Sequence, residues 1–228
     1  MSSEFSFSAG DFSGVSRLFP LPDHVMFPHV VQPFHIFEDR YRDLTAAALD
    51  GDKLITVVQL ANGWESDYNG RPATASVGCL GRICTHARLD DGRYNLLVAG
   101  LRRVRIASEL EPRHAFREAE VELMEDVYLA SGKADRTAVQ GLLLNRFRSF
   151  LPQAVEAREQ YEELFSGQIS LGALTDIVAY SLTLTSGDKQ LLLDEVNVDR
   201  RAIRLIYELD CLMDEPITDS FPPQFSAN

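Results

Sequence analysis

The sequence predicts an α+β protein: a β-rich N-terminal domain carrying one helix, followed by an all-α helical bundle domain. Three observations predict it. Up to Glu125 the apolar residues fall into short, alternating or β-branched runs separated by Gly, Pro, Asn and Asp. After Met124 they recur at helical spacing instead. The opening stretch from Leu18 to Gln59 is apolar but holds Pro20, Pro22, Pro28 and Pro33. Proline fixes φ, removes a donor and pushes its predecessor toward extended backbone, so this stretch cannot be one long helix. The expected division is a flexible tail over 1–15, a β-rich domain over 16–125, a helical domain over 126–215 and a second tail over 216–228.

The elements follow in order. SRLFPL reads as a sheet-edge strand leading into a stiff, buried corner, and QPFHIF as a second extended piece. Glu38 to Asp50 reads as a helix with Tyr41, Leu44 and Ala48 on one face, ended by Gly51 in the left-handed region. Leu54 to Leu60 is a nearly continuous apolar run, as in a strand covered on both faces. Asn62 to Ala73 is a loop. VGCLGRICTHARL and RYNLLVAG flank Asp91-Gly92 and read as a hairpin. Gly100 reads as a tight turn before a further strand with Leu101, Val104 and Ile106. AFREAEVELM has only a partial apolar face, which suits an edge strand.

Beyond a polar break at Ser131-Gly132-Lys133, helices are expected over 134–150 and 154–165. Ser170 caps a third with Leu171, Leu174, Ile177, Val178 and Leu182 facing inward. Thr185 or Ser186 caps a short fourth. Asn197 caps a last one whose inner face is Ala202, Ile203, Ile206, Leu209 and Met213.

Composition narrows the functional classes. The chain has 228 residues, 45% hydrophobic and 25% charged, an ordinary soluble globular balance. No apolar run reaches the roughly 18 residues of a membrane span. The N-terminus lacks the basic start and apolar core of a secretory signal. Three cysteines are an odd set, which argues against a disulfide framework and for a reducing, cytoplasmic setting. Net charge is −12, with 13 basic against 18 acidic residues before Asp126 and 9 against 16 from it on. Neither half has the basic excess that neutralises phosphates, so the balance argues against nucleic acid.

Candidate chemistry is sparse. His24, His29 and His35 cluster in the opening stretch, but their spacing fits no compact ligand pattern, so no metal is expected. Cys79 and Cys84 read as small core residues. Ser186-Gly-Asp-Lys189 formally satisfies S-x-x-K, without S-D-N or K-T-G following it, and lies where a helix cap belongs. No phosphate-binding glycine loop occurs, so no cofactor is expected. Arg102, Arg103 and Arg105, with Arg82 and Arg93, form the one local basic cluster.

Three segments, in order, resemble the N-terminal domain of the Lon ATP-dependent protease family. They are LFPLPDHVMFPHVVQPFHIFEDRYRDLTAAALDGDKLITVVQ, the pair VGCLGRI and NLLVAGLRRVRI, and LTDIVAYSLTLTSGDKQLLLDEVNVDRRAIRLIYEL. The resemblance runs from Arg17 to Met213. The family's usual glycine after FP is His29 here, which predicts a different backbone at the corner. The resemblance implies a PUA-like pseudo-barrel followed by helices. It implies a recognition module for unfolded or extended polypeptide segments or a partner protein, without ATPase or protease modules and without catalysis. Homo-oligomer formation stays open. Met26, Phe27, Phe34 and Phe37 are the expected apolar contacts, His29 the corner position, and Arg82, Arg102 and Arg105 the expected polar ones. RNA binding, known among PUA-like folds, and a Ser186/Lys189 hydrolase are the alternatives.

Overall fold

The computed structural model describes residues 7, 9–130, 136–150 and 169–214. Among these, six strands form one sheet: β1 (Val15–Leu21), β2 (Val31–Ile36), β3 (Leu54–Gln59), β4 (Val77–Arg88), β5 (Tyr94–Glu109) and β6 (Arg117–Met124). Their order is β2-β5-β4-β3-β1-β6, and β6 also pairs with β5. The sheet therefore closes into a ring of five strands, and β2 is added outside it. Helix α1 (Asp39–Asp50) carries the chain from β2 to β3, so β3 can lie parallel to β1, with Leu18 beside Thr56 and Leu21 beside Gln59. The other pairings are antiparallel.

The ring changes the expected edges. β1 is not an edge strand: β3 flanks one side and β6 the other. β6 is likewise paired on both sides, with β1 and β5. Its half-apolar pattern arises because one face points to solvent, not because one edge does. The strand paired with a single neighbour is β2, which joins only β5 and carries Pro33 at its middle. Proline is tolerated there because its missing N–H falls on the unpaired side.

Gly100 is not a turn. It lies inside β5, where two strands share one edge: β2 pairs Tyr94–Ala99 and β6 pairs Arg103–Glu109. The corner after Phe27 crosses the gap between them. The His29 N–H donates to the Gly100 carbonyl at 2.9 Å, and the Gly100 N–H donates to the Val30 carbonyl at 2.8 Å. A Cβ at Gly100 would overlap the Phe27 carbonyl, so glycine is there for close approach of two backbones. His29 itself has φ 63, the left-handed region that glycine enters most readily. The corner thus keeps a glycine-type backbone despite the histidine. At the end of α1, Gly51 has φ −115, and the left-handed residue is Lys53 at φ 62.

Four further helices are described: α2 (Arg136–Phe150), α3 (Leu171–Ser181), α4 (Ser186–Asp194) and α5 (Val198–Asp214). Ser170 accepts from the Ala173 N–H, Thr185 from the Asp188 N–H and Asn197 from the Arg200 N–H, so each cap is the residue type that helix starts prefer. Residues 154–165, expected as a helix, and the tail 216–228 lie outside the described residues. Two inward positions expected on α5 are instead exposed, Ile203 at 62% and Met213 at 46%; its inner face runs through Ala202, Leu205 and Leu209. The N-terminal boundary also shifts, since β1 begins at Val15 and Phe7 and Phe12 pack against Leu18, Leu80 and Val104.

The helices do not make a core of their own. Leu143, Phe147, Leu174, Val178, Leu192, Leu205 and Leu209 share one apolar cluster with Val25, Phe27, Val30 and Val77 of the β part. A second cluster, with Phe19, Tyr41, Ile55 and Val98, fills the space between α1 and the sheet.

Candidate functional site

The seam between sheet and helices is built on charge. β5 brings Arg103 into it, α3 brings Asp176, α5 brings Arg201, and the segment after β6 brings Asp126. Arg103 and Asp176 form a two-pronged pair at 2.5 and 3.1 Å, and the Arg103 Nε donates to the Leu193 carbonyl. Arg201 donates from Nε to the Thr175 hydroxyl at 2.8 Å, from Nη1 to the Glu195 carbonyl, and from Nη2 to both Asp126 oxygens. Asp176 and Arg201 are fully buried and Arg103 is 3% exposed. Such a network specifies one docking of helices on sheet more than it adds net stability.

Beside it lies a recess of about 80 Å³, lined among others by Pro28, His29, Arg102 and Asp126. Desolvation there holds the His29 pKa below the ordinary histidine value, against the pull of Asp176 and Asp126. The recess has room for one small group, not for a length of chain.

A wider surface lies at the far end of the sheet. Three cross-strand rows face outward together: Val31–Ala99–Arg82, Pro33–Leu97–Thr85 and His35–Asn95–Ala87. Alternation along β2 adds Phe37, whose ring stacks on His35 at 6.2 Å. Val31, Phe37 and Leu97 are 54%, 61% and 41% exposed. They border an open groove of about 510 Å³ over Pro33, His35, Thr85, Ala87, Asn95 and Leu97.

The expected contact residues divide between these places. Met26 and Phe27 are 1% and 0% exposed and belong to the core, because the corner turns them inward beneath β5. Phe34 is partly buried against Phe19 and His24. Phe37 alone of the four is freely presented. Arg82 shares the groove face, Arg102 lines the recess, and Arg105 is exposed further along β5 opposite Val77. They do not converge. Cys79 is buried, whereas Cys84 sits at an irregularity of β4 and is exposed, so it is not a core residue. The three histidines have separate settings: His24 bonds Gln32 at 2.9 Å, His35 bonds Asn95 at 2.7 Å, and His29 sits at the corner. Ser186 donates to Asp23 and Lys189 to the Tyr180 carbonyl, so each half of the S-x-x-K pair is engaged elsewhere.

Sequence reasoning missed the ionic seam. A signal was available: Asp176 stands on the most apolar of the described helices, next to Ile177 and Val178, and a carboxylate there needs a buried cation.

The family model described as the ATP-dependent protease La (LON) substrate-binding domain matches residues 15–210. The chain belongs to this family. The Lon protease of Dictyoglomus thermophilum is 27% identical over 203 residues, covering 87% of this chain and 24% of that protein. Lon protease 2 of Desulfotalea psychrophila is 29% identical over 193 residues, covering 84% and 24%. This Lon-type chain thus spans about a quarter of the length of the curated relatives it matches. The N-terminal domain of Mycobacterium avium complex Lon protease superposes with a TM-score of 0.66 at 23% identity, over 86% of this chain and 98% of that one. A Lon N-terminal domain protein from Xanthomonas campestris gives 0.56 at 21%, over 85% and 97%. These likenesses show the fold, a β-rich sheet with helices.

Proposed function

We propose that this Lon-type chain is a recognition module that holds unfolded or extended polypeptide, or a partner protein, and cleaves nothing itself. One observation carries the reading: the match to a substrate-binding domain family runs through 15–210, which is nearly every described residue. The groove is consistent with it, since an open apolar face suits a flexible chain better than a compact ligand. In this reading the ring is a PUA-like pseudo-barrel, the chain divides into a β-rich part running to residue 125 and a helical part over 126–215, and the protein works in the cytoplasm.

The test is binding of a permanently unfolded protein, such as reduced and alkylated lactalbumin, by fluorescence anisotropy. Micromolar binding is expected for the unfolded form and none for the native form. Casein incubated with the protein should stay intact. Casein cleavage that disappears in Ser186→Ala would replace this reading with the hydrolase, and salt-sensitive RNA binding without polypeptide binding would replace it with the RNA reader. No helix among the described residues is long and apolar enough to cross a membrane.

A further inference from the structure

Resting on the recognition reading above, we infer that the recess beside Pro28, His29 and Arg102 is a seat for one carboxylate of a polypeptide guest, presented by a chain end or by an acidic side chain.

The recess holds an unanswered cation. In the seam, Arg103 is balanced by Asp176 and Arg201 by Asp126. Arg102 borders the same recess but forms no ion pair with the described residues. Its one hydrogen bond runs from Nη1 to the neighbouring Leu101 carbonyl, at 3.4 Å. Its Nε is buried and has no hydrogen-bond partner. A guanidinium stays charged at any working pH, and its planar fork matches the two oxygens of a carboxylate. A buried donor left unbonded is costly, and an oxyanion guest answers both the charge and the donor.

Size and neighbours restrict that guest. About 80 Å³ admits a carboxylate and the carbon that carries it, but no passing chain. The guest therefore ends in the recess or dips one side chain into it. Pro28, Leu101 and Met124 supply apolar wall, which displaces water and strengthens the charge contact. His29 sets an imidazole on the same wall from a left-handed backbone, φ 63, held by its N–H to the Gly100 carbonyl. Backbone outliers of this kind gather at ligand sites. Two carboxylates also line the recess. Asp126 is taken up by Arg201 through both oxygens. Glu125 is exposed and holds no ion pair among the described residues, so it opposes a guest only through screening water.

The experiment uses a short Gly/Ser/Leu peptide, dye-labelled at its N-terminus, in three forms: with a free C-terminus, with a C-terminal amide, and amidated with Asp as its last residue. Anisotropy with the full chain should show the free acid bound about tenfold more tightly than the plain amide, the difference that a hydrogen-bonded charge makes. Arg102→Gln should erase that gap, Arg102→Lys should keep part of it, and Glu125→Gln should widen it, with circular dichroism unchanged. Asp that restores tight binding to the amidated peptide supports the seat and shows that a side chain serves as well as a chain end. Asp that does not restore it supports the seat for the chain end alone. A gap that persists in a folded Arg102→Gln, or that Glu125→Gln fails to widen, overturns the seat. Equal binding of free acid and amide, while reduced and alkylated lactalbumin still binds, also overturns the seat and leaves the recognition reading standing. If neither the peptides nor the unfolded lactalbumin binds, the recognition reading itself fails. Inorganic phosphate that displaces the free acid at lower concentration than acetate does would assign the recess to phosphate and overturn the polypeptide guest.

Discussion

Asp176 is the residue on which the seam depends. It is fully buried and answers two guanidinium groups, Arg103 at 2.5 Å and Arg201 at 3.6 Å. Asp176→Ala would leave both arginines without it in a low-dielectric interior. The expected loss is about 3–5 kcal/mol, read from urea unfolding followed by circular dichroism. Truncation of exposed Asp39, which pairs with Arg42 on the surface of α1, should cost less than about 1 kcal/mol in the same assay. His29 makes a different prediction. Desolvation lowers the pKa of His29, and also of His24, below the ordinary 6.5. The unfolded chain then takes up protons first as pH falls, so stability is lost from about 6.5 downward and is fully present above it. His29→Gly should flatten that acid-side loss. Near pH 8 it should change stability by less than about 1 kcal/mol, because relief of the left-handed backbone offsets the greater freedom of glycine when unfolded. A steep acid-side loss unchanged in His29→Gly would show that His29 does not contribute to it.

At the scale of elements, the free edge of β2 is guarded by one residue. Pro33→Val would restore an outward N–H in the middle of an exposed, apolar edge strand, the feature that invites pairing between copies. Light scattering should show stronger concentration-dependent association of the variant than of the wild type; an equal mass for the two would mean that the edge is protected by something other than proline. The same strand shows what a sequence can and cannot say. Strand and helix locations were legible because periodicity and capping residues are local: Asp91-Gly92 marked its hairpin, and Ser170 its helix start. Neighbour relations were not. β1 looked like an edge because prolines interrupt it, and β6 because its pattern is half polar, but a pattern reports which face is wet, never which edge is paired. Gly100 looked like a turn because close approach of a second backbone leaves the same mark as a positive φ. Contact residues were legible only where they lie outside the core. Phe37 and Phe27 are indistinguishable as letters, and the corner at His29 is what sends one out and the other in.

For the whole molecule, the shared cluster of Val25, Phe27, Val30 and Val77 with the helical leucines, and the ionic seam beside it, join sheet and helices into one cooperative unit. Thermal unfolding should therefore give a single calorimetric transition with equal calorimetric and van't Hoff enthalpies; two resolved transitions would mean that the halves fold separately. The family resemblance was legible because its three segments map onto the corner with α1, the long β4–β5 hairpin, and the last helices, which are the parts that pack against one another. The closure of the ring carries a kinetic consequence. β6 arrives last among the strands and must zip onto β1, the first, as well as onto the second half of β5. Until residue 124 has left the ribosome, β1 has one flank open and the hairpin has nothing to roll up against. Closure is thus a late, long-range event whose loop entropy falls due before any of its contacts form, which places refolding on the slow side for a chain of this size.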